Sequence, residues 1–514
     1  MTATPDQQDV IDHLTNPSTH GGASVERIDT HSAIVFLAGS RALKLKRAVA
    51  FDYLDFSTEA RRRTACEAEV RINRRAAPSL YRGVIAVTRE PDGSLALGGA
   101  GTPVDWVVEM TRFDQDGLFD RLADRGELDP GLMPGLASAI ARFHRTASRR
   151  TDRGGRDGMA WVVDGNAAGI ATQGAGILDP ALGDRLTSLA RAAVDRHASL
   201  LDARRGAGFV RESHGDLHLR NIVRIDGAPV LFDAVEFNEA ISCIDVLYDL
   251  AFLLMDLWRR GLTRHANAVW NAYLANTEDL SGLALLPLFL SCRAAVRAKT
   301  SVTAARLQPD RARAAELEAL ARQYLALAIE LLEPLPARLV AVGGLSGSGK
   351  STLARAIAPE VPPVPGAIVL RSDEIRKALL GVGALQRLGA EAYAPQVTDA
   401  VYRALGERAA SAVRAGQSVI ADAVFSRPSE RAAMEAIAAS TAVPFEGLWL
   451  DAPADVLIAR AGARRMDASD ADADVVRQQL ARDPGPITWQ RIEAGDVPET
   501  VLERARARLR PSAR

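Results

Sequence analysis

The chain has 514 residues, 47% of them apolar and 25% charged, enough for two to four domains with sizeable cores. Its 63 basic and 64 acidic side chains leave a formal net charge of −1, which excludes a general electrostatic pull toward nucleic acid or an anionic membrane. Its three cysteines, Cys66, Cys243 and Cys292, lack disulfide or metal-ligand spacing, so reduced thiols in a cytoplasmic protein are expected.

The first residues, MTATPDQQDVIDHL, lack a basic segment followed by an apolar one, so no signal peptide is expected. Strand-like runs follow at residues 33–37, 42–45 and 106–110, and the chain then becomes mostly helical. That pattern predicts a small sheet-containing lobe followed by a larger helical one. In RALKLKR, Lys44 and Lys46 lie two apart on a strand and so point to one face. Residues 112–130 hold six acids against three arginines, which reads as a solvated acidic stretch.

The next signal is His214-Gly215-Asp216-Leu217-His218-Leu219-Arg220-Asn221. In a kinase catalytic loop an aspartate precedes the metal-binding asparagine by five residues, and Asp216 and Asn221 keep that interval. Residues 222–226 and 229–233 read as a hairpin about Gly227-Ala228. Folding it brings Asp233 beside Asn221. One carboxylate and one amide oxygen then suit Mg²⁺, which takes hard oxygen ligands, while Asp216 faces the acceptor. His214 reads as a structural hydrogen-bonding residue, and Asp249 as a brace for the loop or a helix. Residues 246–257 are apolar but carry Asp249 and Asp256, so they read as a buried helix rather than a membrane span.

This half resembles the aminoglycoside phosphotransferase family, a bilobal relative of protein kinases, over about residues 25–300, through HGDLHLRN and LFDAVEF. The resemblance implies Asp216 as catalytic base and Asn221 and Asp233 as metal ligands. It also implies a small-lobe lysine on the nucleotide phosphates, paired with a helix glutamate. Lys44 is taken ahead of Lys46, and Glu69 ahead of Glu67, with both choices open. The backbone near Glu109 and Met110 would read adenine. Two departures stand out. No G-x-G-x-x-G precedes the lysine strand, and Gly215 replaces the arginine of H-R-D.

Residues 311–333 are rich in helix formers, preceded by Pro309-Asp310 and followed by Pro334 and Pro336. A long helix there divides the chain into a first domain (1–302), a linker (303–336) and a second domain (337–514). Beyond it, short β-rich runs at 339–342, 367–370, 418–421 and 447–450 alternate with helical stretches, which implies a parallel sheet with crossover helices.

Gly344-Leu345-Ser346-Gly347-Ser348-Gly349-Lys350-Ser351 fits G-x-x-x-x-G-K-[ST], between a strand and a helix opening at Thr352. Its glycines let backbone N–H groups turn toward phosphate oxygens at a helix N-terminus. Lys350 would reach the β and γ phosphates, and the Ser351 hydroxyl would take Mg²⁺. Asp373 and Arg376 follow the next strand, as a base for an acceptor hydroxyl and a grip on an anionic group. Asp422 ends the third run and is expected to orient the Mg²⁺ shell. Arg460, Arg464 and Arg465 suit a lid over the transferring phosphoryl group.

Residues 337–510 resemble small P-loop kinases of the gluconate kinase, polynucleotide kinase and zeta-toxin type, often labelled AAA-like ATPase domains. GLSGSGKST, SDEIR, VIADAVF and RAGARRMDASDAD carry that likeness. It implies that Asp373 acts on the acceptor hydroxyl.

The expected fold is therefore a bilobal kinase-like α+β domain followed by an α/β P-loop domain. The expected function is a bifunctional, ATP- and Mg²⁺-dependent phosphotransferase acting on hydroxyls of small, sugar-like or nucleoside-like metabolites, with no membrane partner. A polynucleotide 5′-hydroxyl kinase in the second domain, or an ATPase module regulating the first, are the alternatives.

Overall fold

The computed structural model describes residues 5–51, 53–383, 385–463 and 469–509. Contacts group the chain into two compact units: residues 1–256 with 292–325, and residues 257–291 with 326–514.

After an N-terminal helix (Pro5–Thr15), the first unit forms a six-stranded antiparallel sheet. Its strands are β1 (Val25–Asp29), β2 (Ala33–Ala38), β3 (Arg41–Lys46), β4 (Tyr81–Arg89), β5 (Leu95–Leu97) and β6 (Thr102–Thr111), in the order β1-β2-β3-β6-β4-β5. Helix α1 (Glu59–Asn73) starts where the Thr58 hydroxyl caps the Arg61 N–H. Cys66 and Val70 of α1 pack with Leu37, Tyr81 and Val108 of the sheet. The hairpin expected after Asn221 is present as β7 (Ile222–Ile225) and β8 (Ala228–Leu231), with Ile222 opposite Leu231.

In the second unit, β9 (Leu339–Gly344), β10 (Ile368–Arg371), β11 (Val419–Asp422), β12 (Phe445–Asp451) and β13 (Gln490–Glu493) form a parallel sheet in the order β10-β11-β9-β12-β13. The four β-rich runs of the sequence are its first four strands. Central β9 is buried at every position, as a strand covered on both faces should be. Strand β13 was not legible: QRIE buries only Ile492.

Residues 257–291 pack within this second unit and perform a definite task there. Strand β10 is an edge, whose outer backbone groups need partners. Asn271, on the helix Thr263–Thr277, accepts from the Val369 N–H at 2.7 Å and donates to the Ala367 carbonyl at 3.1 Å. Asn267, one turn earlier, donates to Pro365 and Ala367. Two carboxamides thus stand where a sixth strand would pair. No helix among the described residues is long and apolar enough to cross a membrane.

Candidate active sites

In the first unit the catalytic-loop segment is held by a buried carboxylate. Asp249 accepts from the His214 and Gly215 N–H groups at 3.0 and 2.8 Å, and His144 Nε2 lies 3.0 Å from it. Burial works against the Asp249 charge, but the hydrogen bond with His144 and the neighbouring His214 and Arg293 hold its pKa below the ordinary value. Arg293 donates to the Gly215 carbonyl at 3.0 Å. The His214 ring lies 2.9 Å from the Phe232 carbonyl, and burial lowers its pKa. Gly215 has φ +80°, a left-handed conformation that explains glycine in place of the arginine of H-R-D.

Asp216 faces the same region. Asn221 Nδ2 donates to its carbonyl at 2.9 Å and to its carboxylate at 3.0 Å, and His218 Nε2 lies 3.3 Å away. Burial pushes the Asp216 carboxyl up, but His218 and His214 outweigh it and hold the pKa well below the usual carboxylate range. The Phe232 N–H donates to the Asn221 carbonyl at 3.1 Å, so the hairpin returns Asp233 to the asparagine. Tyr81 accepts from the Asp233 N–H at 3.0 Å, and Asn73 accepts from the Ala234 N–H at 2.9 Å.

Both competing lysines meet the same glutamate. Lys44 Nζ lies 2.8 Å from Glu69 Oε1 and 2.5 Å from Asp233; Lys46 Nζ lies 2.6 Å from Glu69 Oε2 and also pairs with Glu236. Burial alone would raise the Glu69 pKa, yet the two ammonium groups bring it down to about 2. Glu67 is an exposed partner of Arg63. Glu236 lies inside LFDAVEF, but the sequence assigned it no role, and nothing singled out His31 in the β1–β2 turn. Burial lowers the His31 pKa against the pull of Asp216 and Asp233, so that turn lies near both carboxylates.

Met110 needs a correction. It sits between Ala42 and Tyr81 on neighbouring strands, inside the sheet. Pairing continues past it, with Thr111 N–H donating to Leu80 and Arg112 N–H to Ser40. Beyond that pairing the chain leaves the sheet at Phe113. Phe113 and Asp114 line a cleft of about 500 Å³ together with Glu26, Ile28, Gly39 and Ser40. Glu109 is engaged by Arg41 at 2.7 Å.

In the second unit Gly344 ends β9, Gly347 and Gly349 hold φ near +90°, and Gly349 caps the helix Lys350–Ile357, which includes Ser351 and Thr352. Lys350 Nζ donates to the Leu345 carbonyl at 3.0 Å within the loop. Among the described residues the buried Ser348 hydroxyl has no hydrogen-bond partner, a polar atom that a phosphate oxygen would satisfy. Ser346 N–H donates to Gln479 at 2.8 Å, a contact the sequence did not suggest.

Asp422 ends β11 beside Val342 and Arg371, whose guanidinium lies 3.3 Å from its carboxylate. Asp373 lies in the first turn of the helix Ser372–Leu379. Burial and the Asp422 charge raise its pKa, against Arg371, Lys350 and a hydrogen bond from Ser469. Arg376 is buried, donates to the Ala392 carbonyl at 2.7 Å and lies over the Tyr393 ring; among the described residues its Nε has no partner. Lys377 and Tyr393 converge on Asp470, at 3.3 and 2.9 Å, a cluster the sequence reading missed.

Arg460 does not join the phosphate loop. It donates to the carbonyls of Ala494, Gly495 and Asp496 and so braces the chain after β13. Arg464 and Arg465 lie outside the described residues. Among the described residues no three His, Cys, Asp or Glu side chains form a metal-holding group. Mg²⁺ at a phosphotransfer site asks less, one or two carboxylates beside substrate phosphates; Asp233 and Asn221, or Asp422 and Ser351, are the oxygen-bearing residues that would hold it.

Together these observations describe a chain that joins a domain carrying a kinase-like catalytic-loop pattern to a P-loop domain built on a parallel sheet. Residues 339–486 match the AAA domain family model. The chain belongs to the family of the uncharacterized protein Rv2004c of Mycobacterium tuberculosis (strain H37Rv), with 31% identity over 484 residues, 93% of this chain and 94% of that protein. It is also 35% identical over 118 residues to an adenylyl-sulfate kinase of Myxococcus xanthus, covering 23% of this chain and 59% of that one. A choline/ethanolamine kinase family protein from Mesorhizobium loti is similar over 63% of this chain and 99% of that chain, at 15% identity and a TM-score of 0.37.

Proposed function

We propose that the chain is a bifunctional phosphotransferase: residues 1–302 and residues 337–514, joined by 303–336, each pass the γ-phosphoryl group of ATP to a hydroxyl of a small metabolite. The observation that carries this reading is the repetition of one chemical set. Each half has a lysine at a phosphate position (Lys44, Lys350), an acid suited to accept a hydroxyl proton (Asp216, Asp373) and oxygen donors suited to Mg²⁺ (Asn221 and Asp233; Ser351 and Asp422). Bound Mg²⁺ supplies charge neutralisation at the phosphates. The protein groups orient the nucleotide and remove the proton, which is most of what in-line transfer requires. Buried Arg376, with its unpartnered Nε, favours an acceptor that carries an anionic group at the second site.

The test is a double dissociation. Purified full-length Asp216→Ala and Lys350→Ala variants are screened with labelled ATP against metabolite and oligonucleotide acceptors. Each variant loses one transfer and keeps the other. If neither substitution changes transfer to any acceptor, the reading is wrong; an oligonucleotide product lost in Lys350→Ala would instead make the second half an end kinase.

The acid limbs of the two activities should also separate. A base must be unprotonated to act. Asp216 is held below the ordinary carboxylate pKa and Asp373 above it. On acidification the second-half transfer falls first, about tenfold per pH unit below its limb, while the first-half transfer persists to lower pH. Initial-rate profiles on the two single-site variants check this; coincident limbs would contradict it.

A further inference from the structure

Kinase-like sites work with one lysine on the phosphates and one glutamate holding it. Here the glutamate is shared. Glu69 is fully buried and gives one oxygen to Lys44 and the other to Lys46, at 2.8 and 2.6 Å. Lys46 is buried as well, stands 5.0 Å over the Phe56 ring, and pairs at its far side with Glu236. Lys44 instead reaches outward to Asp233, whose side chain is 43% exposed. The five groups form a chain of alternating sign: Glu236, Lys46, Glu69, Lys44, Asp233. Its inner end is closed and dry, its outer end open.

The two lysines are therefore unequal in what they can do. For a lysine to grip a nucleotide phosphate it must leave a carboxylate. If Glu69 had Lys44 alone, that departure would strand a buried anion, which is strongly unfavourable. With Lys46 fixed on its second oxygen, Glu69 stays compensated whichever way Lys44 turns. Lys46 cannot exchange places, because its own departure would strand both Glu69 and Glu236. Asp233, once Lys44 turns away, would be free to hold Mg²⁺.

We infer that Lys46, anchored by Glu236, is a positioning residue that holds Glu69 neutralised so that Lys44 can move between Asp233 and the nucleotide phosphates. The inference rests on the phosphotransferase reading of the first half and goes beyond it by assigning distinct tasks to the two lysines. Glu236 lies three residues after Asp233, so the same pair also ties the metal-facing segment to β3.

The test uses the full chain carrying Lys350→Ala, which silences the second site, and titrates it calorimetrically with Mg-ATP, Mg-ADP and adenosine. Lys44→Met should weaken both nucleotides by tenfold or more. Lys46→Met should weaken both by about tenfold and leave adenosine, which has no phosphate, within twofold. The double variant should lose little beyond Lys44→Met alone, since Lys46 acts through Lys44. Lys46→Arg, which keeps the cation, should recover most of the affinity. Lys46→Gln keeps a hydrogen-bond donor and much of the volume, and serves if Lys46→Met does not fold. Unchanged Mg-ATP affinity without the Lys46 cation overturns the inference. So does a parallel loss of adenosine, which marks a merely structural lysine, and so does a Lys44→Met variant that binds normally. A Lys350→Ala parent that binds no Mg-ATP at all overturns the phosphotransferase reading itself, and the inference with it.

Discussion

Gly347→Ala removes nucleotide binding from the second unit and leaves the first unit's binding in place. Gly347 holds φ +89°, and a Cβ there would lie 2.4 Å from the Leu457 carbonyl oxygen and 3.0 Å from its carbon. These are backbone atoms of the helix Ala454–Gly462, so no side-chain rotation relieves the contact. A left-handed alanine costs about 1–2 kcal/mol, and forced overpacking adds about 1–3 kcal/mol. Together they would shift the loop population by roughly 30-fold to several thousandfold. The control is Gly381→Ala, which has φ +69° but nothing within 4 Å. It carries the conformational cost without the clash, away from the phosphate loop. Calorimetry with Mg-ATP should show one site lost in Gly347→Ala and two retained in Gly381→Ala. Two sites in both variants would mean that the loop conformation described here is not the one that binds phosphate.

Such a loop is legible in a sequence because its conformation is local. Glycines at fixed offsets, a lysine, a hydroxyl, and a strand and helix on either side specify it without reference to distant residues. The same holds for Asp216 and Asn221, five apart around one turn, and for the hairpin that returns Asp233 to them. Where partners come from afar, the reading stops. The sequence places Arg460 in a helical stretch, but does not reveal that the chain 34 residues later presents three carbonyls to it. Likewise Lys44 and Lys46 share a strand face, yet only the folded segment 233–236 separates their surroundings. Asn267 and Asn271 look like ordinary polar positions on a helix; their task exists only because β10 is an edge. The strand expected at 106–110 ends one residue later, at Thr111, and Arg112 N–H still pairs with Ser40.

Gly215→Arg, which restores the arginine of the kinase pattern, should abolish the first transfer rather than improve it. A side chain at φ +80° is strained in any surroundings, and here the surroundings are closed. A Cβ at Gly215 would lie 3.1 Å from Val235 Cβ and 3.2 Å from the Ile241 carbonyl oxygen. The peptide cannot rotate away, because Asp249 holds its N–H at 2.8 Å and Arg293 holds its carbonyl at 3.0 Å. Any relaxation therefore passes to Asp216, the next residue, or to the segment that carries Asp233. An ångström of displacement at a catalytic group costs about a hundredfold in rate, so first-half transfer should fall at least that far. Gly215→Ala should fall less, since alanine brings the strained backbone and the 3.1 Å contact but no long side chain. Second-half transfer is the internal control, and circular dichroism of both variants checks that the fold persists. If Gly215→Arg kept the first transfer within twofold, the left-handed turn would be incidental, and the arginine pattern and this one would be interchangeable ways of holding the same aspartate.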